Sequence, residues 1–196
     1  MRKLLLATTN KGKAREYHAL LKPIPFEIMT LSDAGITTEV DETGCSYEEN
    51  AALKATIFAK ESGLLTLADD SGLEVDALEG EPGIRSARYA GENASEADRN
   101  NFLLSKLKGI PEAKRSARFL CVIAIATPGG KVTLHKGECP GFITTSPRGE
   151  RGHGYDPVFY LPGLGKTMAE LTMEEKNKVS HRARATMKAC ALLMNQ

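Results

Sequence analysis

The sequence predicts an α/β protein built on a mixed β-sheet. An apolar strand over residues 3–7 leads through a polar turn into an amphipathic helix over 11–21. Further along, two strand-like segments, 118–126 and 131–138, flank the turn sequence Pro128-Gly129-Gly130, which is typical of an antiparallel hairpin. A strand–turn–helix unit combined with a hairpin indicates a sheet with both parallel and antiparallel neighbours.

Capping sequences predict where the other helices begin. Ser46 with Glu49 forms an S-x-x-E capping box for a helix that runs to about residue 62, and Ser95 with Asp98 forms a second box. The remaining predicted elements are a short strand over 141–144, a glycine-rich segment over 147–157 (the glycine loop), a strand over 158–160, and two helices that begin after Thr172 and Ser180. The last helix is predicted to bury Ala183, Met187, Cys190, Ala191 and Met194.

Two acidic pairs are candidate cation ligands. A short apolar strand over 64–68 is expected to deliver Asp69 and Asp70 at its carboxyl end, where open α/β sheets usually bind ligands. Adjacent like charges are costly to bury unless a cation neutralises them, although a solvated turn is the open alternative. The second pair is Asp41-Glu42, and Glu42 could complete an oxygen-rich magnesium site.

Composition limits the class of protein. At 196 residues with 41% hydrophobic content, the chain has the length of one domain with a sizeable core. A formal net charge of +1 provides no basic stripe for duplex nucleic acid. The four cysteines lack zinc-ligand spacing, which favours reduced thiols in a cytoplasmic protein. Because no apolar run reaches membrane-spanning length, we expect no membrane association.

The turn Thr8-Thr9-Asn10-Lys11-Gly12-Lys13 is a candidate phosphate site. It resembles a Walker A loop in spacing, but Ala7 replaces the first glycine and Ala14 replaces the magnesium-binding hydroxyl, so P-loop chemistry is not expected. A helix N-terminus nevertheless offers unpaired N–H groups and a partial positive charge, and Lys13 adds a full one. The open alternative is that Asn10 only caps the helix and the lysines are solvated.

The glycine loop is a candidate site for a flat ligand. Its glycines allow the backbone to approach a ligand closely, and His153 and Tyr155 contribute two rings. A plain surface loop is the alternative interpretation. The sequence Ser180-His181-Arg182 places donors in the first turn of a helix, where an anion or a base oxygen is favoured.

Eight motifs run in order along nearly the whole chain: TTNKGK, DETG, ENAxLKA, ADDSGLEVDAL, PGIRSARYAG, HGYDPVF, KTMAEL and EEKNxxSHR. Together they resemble the inosine triphosphate pyrophosphatase family, in particular the bacterial dITP/XTP pyrophosphatases. The resemblance implies magnesium-dependent hydrolysis of nonstandard purine triphosphates such as ITP, dITP and XTP to the monophosphate and pyrophosphate. It also implies an elongated α/β fold in which a long mixed sheet and flanking helices form two lobes around a central cleft, as a single bilobal domain over 1–196, generally in a homodimer.

The resemblance assigns roles to individual residues. Asp70 matches a proton acceptor and magnesium ligand, and Glu42 matches a second carboxylate associated with the metal. His153 stands where the family usually has phenylalanine, so base affinity or pH response is expected to differ. Asn50, Lys54 and Asp69 match supporting residues, and the implied substrate contacts are Thr8, Thr9, Asn10, Lys11, Gly12, Lys13, Ser71, His153, Gly154, Tyr155, Asp156, Lys176, His181 and Arg182.

Three other functions remain open at this stage. The chain could be a related pyrophosphatase that acts on modified pyrimidine or methylated triphosphates, or a nucleotide-binding sensor without turnover. It could also bind single-stranded nucleic acid, but the acidic pairs and an aromatic content of only 6% argue against that function. We therefore expect a small-molecule partner, a purine nucleoside triphosphate, and no nucleic acid.

Overall fold

A seven-stranded mixed sheet organises the protein in the computed structural model, which describes residues 2–194. The strand order is β2-β1-β3-β4-β5-β6-β7. Strand β1 is parallel to β2 and β3, whereas β6 is antiparallel to β5 and β7, so the predicted mixed α/β fold is confirmed. The strands are β1 (Arg2–Leu6), β2 (Phe26–Thr30), β3 (Leu65–Val75), β4 (Ser116–Ala126), β5 (Val132–Ile143), β6 (Phe159–Leu161) and β7 (Lys166–Thr167).

The helices begin where the capping residues predict. The hydroxyl of Ser46 accepts the Glu49 N–H, and Gly63 ends that helix in the left-handed region. Full capping boxes open the helices after Ser95 and Thr172. The helices are α1 (Lys11–Leu20), α2 (Tyr47–Ser62), α3 (Glu96–Lys106), α4 (Met173–Val179) and α5 (His181–Leu193). None of these helices is both long and apolar enough to span a membrane.

The described residues form two compact units, each with its own apolar core. Unit 1 contains the residues up to Asp70, Cys121–Gly137 and the residues from Arg182 onward, and unit 2 contains Ser71–Leu120 and Glu138–His181. The core of unit 1 includes Leu4, Leu6, Tyr17, Leu67, Ile123, Ala185, Ala189 and Leu193. The core of unit 2 includes Leu73, Leu103, Leu107, Phe119, Tyr155, Val158, Phe159 and Met168.

Strand β3 is longer than predicted, and this corrects the expectation that Asp69 and Asp70 follow the end of a strand. The register pairs β1 with β3 only as far as Leu67. Beyond that point β3 has passed the end of β1, but β4 lies on its other side and β3 runs on to Val75. The two carboxylates therefore lie within β3, in the part that extends beyond the end of β1. The predicted strand over 141–144 is likewise the continuation of β5.

The predicted buried face of α5 is confirmed for Ala183, and Cys190 packs partly buried against the core of unit 1, but it is wrong for Met187, Ala191 and Met194. Met187 is 62% exposed and Met194 is 54% exposed, whereas Ala185, Ala189 and Leu193 pack in the core of unit 1. The physical reason lies in the first turn, where Arg182 is buried and forms an ion pair with Glu16. An interior arginine fixes which side of the helix turns inward, and an apolar pattern alone does not reveal this.

Candidate functional site

The turn between β1 and α1 exposes the start of a helix. Asn10 is the N-cap, and its Oδ1 accepts the Lys13 N–H at 3.0 Å. The Oγ1 of Thr8 accepts the Asn10 N–H at 3.2 Å. Helix geometry leaves the first-turn amides of Lys11 and Gly12 without an intrahelical acceptor, so they can donate to an anion. The capping role of Asn10 is thus confirmed, and it leaves the phosphate-binding prediction open.

The turn lies beside the acidic part of β3. The backbone N–H of Ala7 donates to the Leu67 carbonyl at 2.8 Å, immediately before β3 reaches its carboxylates. The Nζ of Lys13 lies 2.9 Å from Asp69 Oδ2, and the Asp69 side chain is only 1% exposed. The N-terminal turn of α1 and Asp69 therefore lie next to each other within unit 1.

Arg182 and Glu16 form a buried ion pair in unit 1. Arg182 Nη1 lies 2.5 Å from Glu16 Oε2, and both side chains are at most 2% exposed. Arg182 Nη2 also lies 3.8 Å from Asp69 Oδ2, and the guanidinium carbon lies 5.7 Å from the centre of the Tyr17 ring. Sequence analysis did not identify Glu16. A single glutamate beside Tyr17 looks like an ordinary solvated helix residue, and no signal in the sequence marks it.

Asp70 is held by an amide that also binds the loop before α2. Asn50 Nδ2 donates to Asp70 Oδ2 at 3.1 Å, and Asn50 Oδ1 accepts the Gly44 N–H at 2.8 Å. A Cβ added at Gly44 would lie 2.7 Å from Asn50 Oδ1, so the close approach requires glycine. Asn50, buried in α2, therefore fixes the position of the Asp70 carboxyl group.

Glu42, from the second acidic pair, lies near Lys54 and Asp70 in unit 1. Lys54 Nζ forms an ion pair with Glu42 Oε1, and the negative charge of Glu42 acts on Asp70. Lys54 is thus a cation among three carboxylates. Burial alone would lower the pKa of Lys54, but the charges of Asp69, Asp70 and Glu42 outweigh burial and raise it, so the ammonium is retained.

The two adjacent aspartates have opposite pKa shifts. Burial on its own would raise the pKa of Asp69, but the charges of Lys13, Arg182 and Lys54 hold it well below its usual range. Burial raises the pKa of Asp70, with a further contribution from Glu42 that opposes the effect of Lys54. Neighbouring acids whose pKa values are pushed apart have different roles. The lowered pKa keeps Asp69 an anion beside Lys13 and Arg182, whereas the raised pKa makes the Asp70 carboxyl group the one that binds a proton more readily.

Cys121 lies in the same interior but is unsuited to nucleophilic chemistry. Its Sγ is 3.7 Å from the Tyr17 hydroxyl and 3.8 Å from Asp69 Oδ2. Burial, with a smaller contribution from Asp69, raises its pKa to about 12. Because the thiolate is the reactive form, the Cys121 thiol is a poor nucleophile.

In unit 2, a buried ion pair organises the glycine loop. Lys176 Nζ lies 2.5 Å from Asp156 Oδ2, which also accepts the His153 N–H at 2.9 Å. Gly152 has φ +80°, and a Cβ there would lie 2.0 Å from Asp156 Oδ2. The loop is therefore wrapped tightly around one carboxylate, and it is not a loosely held surface segment.

The two loop rings have different environments. Tyr155 packs in the core of unit 2, and its hydroxyl donates to the Ser86 carbonyl at 2.8 Å, so its ring does not form an exposed stacking face. His153 is half-buried. His181 is buried and stacks on Phe119, with ring centroids 4.7 Å apart and an interplanar angle of 17°.

The residues predicted from the sequence thus fall into two groups. Those in unit 1 are Thr8, Thr9, Asn10, Lys11, Gly12, Lys13, Glu42, Asn50, Lys54, Asp69, Asp70 and Arg182. Those in unit 2 are Ser71, His153, Gly154, Tyr155, Asp156, Lys176 and His181. Sequence analysis missed Glu16 in unit 1, and in unit 2 it missed Ser86 and Asn100, which contact the glycine loop.

Comparison with known proteins shows the family. Residues 4–192 match the family model of the Ham1 family. The dITP/XTP pyrophosphatase of Geobacter sulfurreducens is 52% identical over 185 residues, covering 94% of this chain and 93% of that protein. The dITP/XTP pyrophosphatase of Bacillus licheniformis is 48% identical over 193 residues, 98% of each chain. A HAM1 protein from Coxiella burnetii has a TM-score of 0.90 at 38% identity, with both chains fully covered. The resemblance predicted from the sequence is confirmed, and the chain belongs to the Ham1 family.

Proposed function

We propose that this protein hydrolyses the nonstandard purine nucleoside triphosphates ITP, dITP and XTP to the monophosphate and pyrophosphate, and so cleanses the nucleotide pool. Relatives named dITP/XTP pyrophosphatase, about half identical over nearly the whole chain, support the substrate class. One observation in unit 1 carries the chemistry. A capped helix N-terminus with Lys13 adjoins two aspartates whose pKa values are shifted in opposite directions.

The triphosphate is assigned to the turn after β1. The first-turn amides of Lys11 and Gly12 and the positive end of α1 suit phosphoryl oxygens, and the Lys13 ammonium adds a full charge. Asp69 holds that ammonium at 2.9 Å, which restricts its position before a substrate arrives. A positioned donor loses less entropy on binding than a mobile one, so Asp69 supports binding without contacting the phosphates.

Asp70 is assigned to the water that attacks the α-phosphorus. Cleavage of the α–β anhydride needs an in-line water, neutralisation of charge on the phosphoryl oxygens and departure of pyrophosphate. Asn50 fixes the Asp70 carboxyl group, and its raised pKa makes it a better proton acceptor than Asp69. In this role Asp70 orients the water and accepts its proton.

The metal is proposed to be Mg²⁺. Glu42 and Asp70 provide hard carboxylate oxygens in one part of unit 1, which is the donor type that Mg²⁺ prefers. A bound Mg²⁺ would neutralise charge on the phosphoryl oxygens and on the leaving pyrophosphate. Lys54 already balances part of the negative charge of these carboxylates.

Selection for the base is proposed to rest on N–H donors. Hypoxanthine and xanthine present a carbonyl acceptor at the purine six position, whereas adenine presents an amino donor. The backbone of residues 153–156 and Lys176 can provide donors, and the resemblance adds Arg182. An adenine opposite such donors leaves them unpaired, and unpaired buried groups are heavily penalised.

A substrate panel tests the proposal. Pyrophosphate release from ITP, XTP, ATP and GTP is measured with Mg²⁺, together with modified pyrimidine and methylated triphosphates. We expect kcat/KM for ITP to exceed that for ATP by about 10⁴-fold, the range for mismatched buried hydrogen-bonding groups. Similar values for ITP and ATP would contradict this account of selectivity. Binding without pyrophosphate release would identify a sensor, and preference for a modified pyrimidine would identify the related pyrophosphatase.

Cellular location and assembly remain proposals. We propose a cytoplasmic enzyme, supported by four free cysteines, Cys45, Cys121, Cys139 and Cys190. The homodimer implied by the resemblance stays a prediction, which sedimentation of the full chain would test.

A further inference from the structure

The glycine loop is held from behind by a side chain of α3. Asn100 Nδ2 donates to the Gly154 carbonyl at 2.9 Å, although the two residues lie 54 positions apart in the sequence. Asn100 is only 5% exposed. A buried amide that donates to one backbone carbonyl of a distant loop holds that carbonyl at a fixed position relative to the helix.

A second contact holds the next residue of the loop. The Tyr155 hydroxyl donates to the Ser86 carbonyl at 2.8 Å. Ser86 is itself fixed, because its Oγ accepts the Leu73 N–H of β3 at 2.9 Å and donates to the Gly83 carbonyl at 2.6 Å. Ser86 belongs to the PGIRSARYAG motif, to which the proposed chemistry assigns no role. Two residues of unit 2, Asn100 and Ser86, therefore anchor the loop, and neither of them is assigned to the substrate.

The geometry of Gly154 makes the Asn100 contact significant. Gly154 adopts φ +64°, a left-handed conformation, and because glycine has no Cβ its backbone is less restricted than that of other residues. The hydrogen bond from Asn100 restricts the peptide that joins Gly154 to Tyr155. Without it, the loop retains the Tyr155 hydroxyl contact and the Asp156–Lys176 pair but loses the hydrogen bond that holds the Gly154 carbonyl to α3.

We propose that Asn100 is a positioning residue for purine recognition, acting through the Gly154 carbonyl to hold the backbone of residues 153–156. This inference rests on the proposed function, in which that backbone contacts the base. Because Asn100 acts on the recognition loop and not on Asp70, its loss should weaken binding of substrate and leave the chemical step nearly unchanged.

The test compares Asn100→Leu with Asn101→Leu. Leucine is similar in size to asparagine but donates no hydrogen bond, and Asn101 is the exposed neighbour on the same helix, so the pair separates the contact from the substitution. For Asn100→Leu we expect KM for ITP to rise about tenfold, equivalent to about 1.4 kcal/mol, with kcat within about a factor of three. Amide hydrogen exchange of residues 153–156 should quicken about tenfold. Asn101→Leu should match the unmodified protein in both measurements.

The outcomes separate this inference from the proposed function. If the unmodified protein does not cleave ITP, the proposed function fails, while hydrogen exchange still tests the anchor. If Asn100→Leu is folded and leaves KM and loop exchange unchanged, or lowers kcat with KM unchanged, the inference is overturned. Should Asn100→Leu fail to fold, Asn100→Ala removes the same donor with a smaller side chain and is expected to raise KM and quicken exchange at residues 153–156 in the same way. Unchanged values in that variant would also overturn the inference.

Discussion

Replacing Asp70 with asparagine is expected to lower kcat for ITP about 100-fold or more while the fold persists. The amide has nearly the same shape as the carboxylate and can keep a hydrogen bond with Asn50, but it cannot accept a proton from water. It also removes one hard oxygen ligand from the proposed magnesium site. Steady-state pyrophosphate release, with circular dichroism to verify folding, measures the effect.

The control for this substitution is Asp41→Asn. Asp41 is the exposed member of the other acidic pair, and the proposed magnesium site uses its neighbour Glu42 instead. The variant makes the same change in net charge as Asp70→Asn. Its kcat should stay within about a factor of two of the unmodified protein, since exposed charges interact weakly. A folded Asp70→Asn protein with near-normal turnover would remove Asp70 from the mechanism.

Arg182→Met is expected to lower the free energy of unfolding by about 3–5 kcal/mol. Methionine fills much of the volume of the arginine stem, but it leaves Glu16 buried without its ion-pair partner. Asp69 also loses a nearby positive charge, although Lys13 remains at 2.9 Å. Urea denaturation followed by circular dichroism measures the loss.

Two further variants identify the cause of that loss. Arg184→Met changes an exposed arginine on the same helix and should alter stability by no more than about 0.5 kcal/mol. Adding Glu16→Leu to Arg182→Met removes the isolated carboxylate and should restore much of the stability, because a buried ion pair is often replaceable by apolar groups. Equal stabilities for Arg182→Met and Arg184→Met would show that the buried pair is unimportant.

Helix starts could be predicted from the sequence because capping is a local interaction. Ser46, Ser95 and Thr172 each bind an amide three residues later, so the whole interaction lies within four consecutive residues. The same holds for Asn10, whose side chain accepts the Lys13 N–H. The sequence also marked Lys13 as part of a candidate phosphate site and Asp69 as a candidate cation ligand, and Lys13 Nζ lies 2.9 Å from Asp69 Oδ2.

Features that depend on distant neighbours were not predictable in this way. The length of β3 depends on β4, which begins 41 residues after the end of β3, so the local pattern could not show that the strand continues past Asp70. The inward face of α5 depends on the pairing of Arg182 with Glu16, 166 residues apart. Asn100 and Ser86 are ordinary polar residues in the sequence, and only the fold brings them to the glycine loop.

Isotope placement in the products tests the central chemistry most directly. When ITP is hydrolysed with Mg²⁺ in ¹⁸O-labelled water, attack on the α-phosphorus places one labelled oxygen in IMP and none in pyrophosphate, which ³¹P NMR and mass spectrometry distinguish. We expect that result, with IMP and pyrophosphate as the only products. Label in pyrophosphate, or release of IDP and inorganic phosphate, would contradict the assignment of Asp70 to a water aimed at the α-phosphorus.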